Sequence, residues 1–182
     1  MLALLGAAAG GPSPLPPWMG DLAAPPHVRA ASLVAAMTVG EKVALMHGSR
    51  LSKSRECGDC PFGKGANDCY TGNVCGTARL GIPTIRQNDG PQGFRMGGGR
   101  FGMPDLHSTA WPAAITVAAS FDPSIAATWG KSMGSEFYGL GANVQLGPGL
   151  CVARLPTGGR NFEYLSGEDP YLGSVLAGPA VA

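Results

Sequence analysis

Residues 151–173 run CVARLPTGGRNFEYLSGEDPYLG and follow a short apolar segment, residues 143–146, that predicts a β-strand. Arg154 and Arg160 flank a Pro-Thr-Gly-Gly loop, and several carboxylates come directly after it. Loops rich in glycine, arginine and acid that follow a strand are typical of functional rims, since a rigid scaffold often carries its binding residues on loops. An ion-paired loop that only stabilises itself has the same composition, so composition alone leaves both interpretations open.

A second stretch, residues 80–95, runs LGIPTIRQNDGPQGFR. Ile82 and Ile85 predict a short strand that ends before Asp89, where Asp-Gly-Pro is a turn signal. From composition alone, Asp89 is interpreted as a side chain that caps this turn. The Gly-rich segment that follows lacks the spacing of a phosphate-binding loop, so a nucleotide site is rejected there.

The order of residues in both stretches is more specific than their composition. The patterns R-x-P-x-x-G-R-N-F-E-Y-x-S-x-E-D-P-Y-L and G-I-P-x-x-x-x-x-D-G-P-x-G-x-R resemble two signatures of the barrel domain of glycoside hydrolase family 3, the β-glucosidase family. The segment LVAAMTVGEKVALMHG, residues 33–48, is similar to the helix that opens that domain. The resemblance extends over residues 33–173, most of the chain.

The resemblance implies an α/β fold, namely an incomplete (β/α)8 TIM-type barrel made of its first few βα units, with a Cys-rich N-terminal loop. Residues 27–182 would be the truncated N-terminal part of the barrel domain, and residues 1–26 a signal remnant or Pro-rich leader. In the family, the aspartate matched by Asp89 binds hydroxyls of the terminal sugar, and Arg95 and Arg160 match arginines of that pocket. Barrels of this kind place their sites on loops after the strands, so these three residues are expected to converge on one concave surface.

Members of the family hydrolyse terminal β-linked sugars with retention, using one carboxylate as nucleophile and another as acid/base. In the family these residues lie further along the chain, so the resemblance implies no catalytic residue here and places both beyond Ala182. The predicted function is therefore an N-terminal fragment of a retaining β-glucosidase-like hydrolase, inactive alone, that carries part of the glycone-binding subsite. Its expected partners are a β-glucoside or related oligosaccharide and the remainder of its own chain, with no cofactor or metal. The alternative is a non-catalytic secreted carbohydrate-binding or interaction module.

Four cysteines cluster among glycine and polar residues: Cys57, Cys60, Cys69 and Cys75. Their spacing contains one zinc-like pair, but the second spacing does not match the common zinc finger. Two local disulfides of a secreted protein are favoured over a metal site, and three connectivities stay open. Cys151 is the odd cysteine and is expected to be a buried apolar thiol beside the strand, unless its partner lies outside this chain.

Charge and hydropathy limit the possible partners. The net charge is +1 with 14% charged residues, which predicts no basic face for nucleic acid. No apolar run approaches the roughly 20 residues that cross a bilayer, so no membrane partner is expected. Residues 2–9 form a short apolar run that lacks a basic flank, a weak sign of a secretory signal, and we expect a secreted or extracytoplasmic protein.

Helix signals alternate with the predicted strands. Helices are predicted over residues 26–37, from a capping box at Thr38 and Glu41 to Gly48, from Asp122 to about Gly139, and from Asp169 to residues 178–179. This order predicts a parallel sheet with right-handed crossovers. For Trp111, in the apolar segment over residues 109–120, a core position is favoured over a role as a platform for a sugar ring.

Overall fold

The computed structural model describes Trp18 and residues 22–47, 70–95 and 107–182. Within them the α-helices are α1 (Pro26–Ala36), α2 (Val39–His47), α3 (Ala114–Ala118), α4 (Pro123–Gly139) and α5 (Pro170–Val181). The strands are β1 (Gly72–Val74), β2 (Ile85–Asp89) and β3 (Val144–Leu146), and single 3-10 turns span Ala78–Leu80 and Asn161–Glu163. The described chain is thus a mixed α/β structure, as predicted.

The three strands form one sheet in the order β1-β2-β3. β2 and β3 are parallel, as the alternation of strands and helices predicted, and α3 and α4 lie between them in the chain. β1 and β2 are antiparallel, so the prediction of a wholly parallel sheet was wrong. The reason is the connection over residues 75–84, since a parallel crossover needs about a dozen residues or more.

Asn143 fixes how β3 lies against β2. Its Oδ1 accepts from the N–H of Arg86 at 2.7 Å, and its Nδ2 donates to the carbonyl of Thr84 at 2.9 Å. Its own N–H donates to the Arg86 carbonyl at 3.0 Å. The Asn143 side chain therefore adds hydrogen bonds to β2 just before β3 begins. These bonds fix the register between the two strands, in which Asp89 lies opposite Leu146.

The core lies where α3, α4 and α5 pack together and against the inner residues of the loops. α4 begins where predicted: Asp122 accepts from the N–H of Ser124 at 2.8 Å, and Pro123 occupies the first turn. The core cluster comprises Tyr70, Phe94, Ala114, Val117, Ala118, Ala126, Trp129, Met133, Phe137, Ala142, Leu165, Leu176 and Ala180. Phe94 makes edge-on ring contacts with Tyr70 and Phe137, at centroid distances of 6.3 and 5.1 Å. These contacts anchor the loop after β2 to the helical layer.

Two element boundaries differ from the prediction. The strand expected at Ile82 begins instead at Ile85, because Ile82 pairs with Thr77 to close a turn. α5 continues past Gly178 and Pro179 to Val181. Buried Leu176 and Ala180 lie on either side of Pro179, and we attribute the continuation to their packing, which outweighs the hydrogen bond that proline cannot make.

The capping box before α2 is confirmed. The Thr38 N–H donates to Oε2 of Glu41 at 2.8 Å, and the Glu41 N–H donates to the Thr38 hydroxyl at 3.2 Å. Arg79, from the 3-10 turn after β1, donates to the same carboxylate at 2.7 Å. These bonds, led by that from Arg79, lower the pKa of Glu41 to about 2.

The Trp18 indole donates to the Leu80 carbonyl at 2.6 Å. The thiol of Cys151 is free and exposed, so the expectation of a buried thiol was wrong. Cys151 lies on the loop that follows β3, and no residue of β3 belongs to the core cluster.

Candidate functional site

Asp89 and Arg95 form an ion pair at the carboxyl end of β2. Arg95 donates from Nη1 to Oδ2 of Asp89 at 2.8 Å, and its backbone N–H donates to the Asp89 carbonyl at 3.0 Å. The Asp89 side chain is 31% exposed and that of Arg95 is 67% exposed. Backbone and side chain therefore both hold the guanidinium beside a carboxylate that remains accessible. Asp89 is itself the last residue of β2, rather than part of a turn after it.

Asn88, which no sequence motif marks as a site residue, supports this pair from the interior. It is 1% exposed, and its Oδ1 accepts from the N–H and the hydroxyl of Thr71 at 3.1 and 3.0 Å. Its Nδ2 donates to the Arg95 carbonyl at 3.0 Å, while the Thr71 hydroxyl accepts from the Asp89 N–H at 3.1 Å. Asn88 and Thr71 together therefore tie the chain before β1 to both partners of the ion pair. A buried polar side chain needs partners, but no local pattern in the sequence shows that Asn88 is buried.

The turn after Asp89 depends on two glycines. Gly90 has φ +154° and Gly93 has φ +130°. A Cβ on Gly90 would lie 1.8 Å from the Gly93 carbonyl oxygen, and one on Gly93 would lie 2.3 Å from the Thr109 carbonyl oxygen. The turn can therefore pack against residue 109 only without side chains at these positions.

Arg160 lies on the loop that follows β3. The loop is closed on itself by backbone bonds from Leu165 to the Gly149 carbonyl at 2.8 Å and from Ala153 to the Gly167 carbonyl at 2.7 Å. Arg160 donates from Nε to the carboxylate of Glu163, three residues along. The loop thus contains an ion pair of its own, as one of the two initial interpretations proposed.

Glu163 and Arg160 differ sharply in exposure. The Glu163 side chain is 8% exposed, whereas that of Arg160 is 74% exposed. The hydrogen bond and charge of Glu163 raise the pKa of Arg160, and the charge of Asp89 contributes in the same direction. Asp89 and Glu163 line the same cavity, so the loops after β2 and β3 face one another.

A cavity of about 330 Å³ lies between these loops, lined by residues 89–95, residues 108–110 and Glu163. Asp89 and Arg95 therefore share one concave surface with Glu163. Arg160 is not part of the lining, and it is joined to the cavity through its bond to Glu163. The roles assigned to Asp89, Arg95 and Arg160 in sugar binding stay predictions.

The arrangement suits a small polar ligand with several hydroxyl groups. A carboxylate accepts hydrogen bonds from hydroxyls, and a guanidinium fork donates to them while orienting the carboxylate. The cavity lies within the usual size range of small-molecule sites. Among the described residues, no cluster of His, Cys, Asp and Glu is arranged to hold a metal ion. None of the described helices has the length and apolar character needed to span a bilayer.

Of the four cysteines in the predicted disulfides, the structure describes Cys75 alone, which is disulfide-bonded. Cys57, Cys60 and Cys69 lie outside the described residues, so the number of bridges and their pairing stay predictions. The Gly-rich segment over residues 96–106 also lies outside them.

Trp111 packs against the core but is not fully inside it, which corrects the expectation of a core side chain. Its indole Nε1 donates to Oε2 of Glu136 at 2.6 Å. A tryptophan at the edge of a core keeps its apolar body packed and its N–H bonded, which the apolar sequence around it did not reveal.

Sequence comparison relates the chain to β-glucosidases. It is 39% identical over 151 residues to a probable β-glucosidase A of Aspergillus terreus, an alignment that covers 82% of this chain and 15% of the relative. It is 37% identical over 166 residues to a probable β-glucosidase A of Aspergillus niger, covering 91% of this chain and 16% of the relative. The chain thus spans less than a fifth of the length of these relatives. No family model matches the chain.

Structural comparison gives the same result. The β-glucosidase DesR of Streptomyces venezuelae, solved with D-glucose, is 36% identical with a TM-score of 0.66, covering 84% of this chain and 17% of that one. β-Glucosidase 3B of Thermotoga neapolitana, solved with glucose, is 31% identical with a TM-score of 0.68, over 82% of this chain and 20% of its own. The GH3 β-glucosidase of Bifidobacterium adolescentis is 31% identical with a TM-score of 0.61, over 82% and 18% of the two chains.

Proposed function

Since the chain belongs with the β-glucosidases of glycoside hydrolase family 3, we propose that it supplies part of the glycone-binding subsite of a retaining β-glucosidase-like hydrolase. The observation that carries the proposal is the cavity in which Asp89 and Arg95 are held together, with Arg160 linked to it through Glu163. Two of the related structures were solved with glucose, which supports a glucoside as the ligand.

In this proposal Asp89 accepts hydrogen bonds from hydroxyls of the terminal sugar. Arg95 orients that carboxylate through their ion pair, and the N–H groups of Arg160 not bonded to Glu163 donate to the sugar or to Asp89. The nucleophile and the acid/base come from sequence beyond Ala182, and together they cleave the O-glycosyl bond. The described chain contributes binding and orientation, which accelerate the reaction when the contacts tighten in the transition state.

We further propose that β2 and β3 are two strands of a (β/α)8-type barrel. They are adjacent and parallel, and the residues at the site follow their carboxyl ends, which is where such barrels carry their sites.

We also propose a secreted or extracytoplasmic location, with the cysteine-rich loop cross-linked by disulfides. Mass spectrometry of alkylated, secreted protein tests this: four free thiols among Cys57, Cys60, Cys69 and Cys75, or stoichiometric zinc, would contradict it.

The test of the catalytic proposal is turnover of an aryl β-glucoside. The isolated chain of 182 residues is expected to show none. A chimera in which its matched segment replaces the corresponding one of the Aspergillus terreus relative is expected to hydrolyse the substrate. In that chimera, Asp89→Ala should lower kcat/KM at least tenfold, since removing a charged hydrogen-bond partner costs about 1.5–3 kcal/mol. Glu168→Gln, an exposed change on the loop after β3, is the control.

Either of two results would reject part of this account. Protein-dependent turnover by the isolated chain would show that its own carboxylates are catalytic. An inactive chimera together with an isolated chain that binds glucose would favour the alternative, a non-catalytic secreted carbohydrate-binding or interaction module.

A further inference from the structure

Glu136 is a carboxylate of α4 that the proposed function does not use. Its Oε1 accepts from the backbone N–H of Thr109 at 2.6 Å, and its Oε2 accepts from the indole Nε1 of Trp111 at 2.6 Å. Hydrogen bonds to a charged acceptor are about twice as strong as neutral ones. Both oxygens of one helix side chain thus bind N–H donors of a single short loop.

That loop is one wall of the cavity. Residues 108–110 line it, on a different segment of chain from the turn over residues 89–95. The backbone N–H of Trp111 donates to the Gln92 carbonyl at 2.9 Å, and the Thr109 carbonyl lies where a side chain on Gly93 would be. The wall is therefore fastened to the turn after Asp89 on one side and to Glu136 on the other.

We propose that Glu136 is a positioning residue, which sets the wall over residues 108–110 at the distance from Asp89 and Arg95 that the sugar requires. Glu136 does not line the cavity and acts through the two N–H groups that it holds. The identity of the ligand in this inference rests on the proposed function. The positioning of the wall rests only on the two hydrogen bonds that Glu136 accepts.

The carboxylate suits this role better than an amide. An ionised glutamate accepts on both oxygens, whereas glutamine has one acceptor and would direct its NH2 group at a second donor. Glu136→Gln keeps the size of the side chain, so it weakens one of the two hydrogen bonds to the loop without opening a cavity. Trp111→Phe removes the indole donor while keeping an aromatic ring, and it tests the hydrogen bond between Trp111 and Glu136 from the loop side.

The first measurement is hydrogen exchange by NMR on the 182-residue chain. In the wild-type chain the Trp111 indole N–H and the Thr109 amide should both be protected. In Glu136→Gln at least one of them should exchange about tenfold faster or more, since local opening becomes easier when a bond is lost. Glu168→Gln, with the same change of charge, should leave both protected. Unchanged protection in Glu136→Gln would overturn the proposal.

The second measurement is the affinity for glucose, followed in the same spectra. Glu136→Gln and Trp111→Phe should each bind glucose about tenfold more weakly, the size expected for loss of one hydrogen bond to a charged group. Their dispersed spectra should show a folded chain. A wild-type chain that binds glucose while Glu136→Gln binds it equally well would overturn the positioning role and leave the proposed function standing. A wild-type chain that does not bind glucose, with the exchange result as expected, would reject the proposed ligand and support the fastening of the wall.

Discussion

The guanidinium of Arg160 has two roles in the proposed site: it binds Glu163 and it donates to the ligand. Its Nε is bound to the buried Glu163, which leaves the other N–H groups of the guanidinium for a ligand. Arg160→Lys is expected to weaken glucose binding by the 182-residue chain roughly ten- to a hundredfold, because an ammonium cannot hold Glu163 and donate to a hydroxyl in the same fixed plane. Titration followed by NMR measures the effect.

Arg154→Lys is the matched control for this prediction. Arg154 is an exposed arginine on the same loop, and the same substitution there should leave the affinity for glucose unchanged. Equal affinity in wild type and Arg160→Lys would show that Arg160 stabilises only its own loop, which was the competing interpretation of the sequence.

At the level of single residues, the sequence predicted the proposed ligand-binding residues better than the residues that hold them in place. Asp89, Arg95 and Arg160 stand out because they fall in recognisable patterns. Asn88 and Glu136 do not, because their partners Thr71 and Thr109 are 17 and 27 residues away in the chain. Hydrogen bonds over such separations follow from the tertiary fold and leave no local pattern.

Two glycines of α4 give a matched test of how this helix packs on α5. A Cβ on Gly130 would lie 2.1 Å from the Ala180 carbonyl oxygen, whereas one on Gly134 would meet no atom within 4 Å. Gly130→Ala should therefore be destabilising, since overpacking costs about 1–3 kcal/mol. Gly134→Ala should be neutral or stabilising, by up to about 1 kcal/mol from helix propensity.

Thermal unfolding of both variants measures this difference. The expected order of midpoints places Gly134→Ala at or above the wild type and Gly130→Ala below it. A Gly130→Ala protein as stable as Gly134→Ala would mean that α4 and α5 do not approach as closely as the structure places them.

The capping box of α2 makes its stabilisation depend on pH. Hydrogen bonds, led by that from Arg79, lower the pKa of Glu41 from 4.5 to about 2. A lowered pKa in the folded state contributes stability above the unfolded value, and this contribution is lost as the pH falls from about 4.5 towards 2. The difference in unfolding midpoint between wild type and Glu41→Gln should therefore be largest near neutral pH and shrink over this interval. A difference that is constant from pH 7 to pH 2 would contradict the assignment.

At the level of elements, the sequence predicted those with strong local signals. α4 has an aspartate cap, a proline in its first turn and buried residues at helical spacing, and it lies where expected. β1 was missed because it is short, and its pairing with β2 is set by the length of the connection. The end of α5 was misplaced because contact with α4 overrides the local preference of Pro179.

The whole molecule is organised by two neighbouring parallel strands and the loops that follow them. Asp89 ends β2 and Arg160 lies on the loop after β3, so the register between these strands decides whether the two loops face each other. Asp89 and Glu163, which are 74 residues apart in sequence, thereby line one cavity. Parallel strands carry their loops to the same edge, which is why this placement was predictable from the order of strands and helices.

The most direct test of the account is to map where glucose binds on the 182-residue chain, by NMR titration of the labelled protein. We expect chemical-shift changes at residues 89–95, at residues 108–110 and around Arg160 and Glu163, and their loss in Asp89→Asn at the same glucose concentration. Shift changes confined to other surfaces, or an Asp89→Asn protein that binds glucose as the wild type does, would contradict the assignment of this cavity as a glycone-binding site.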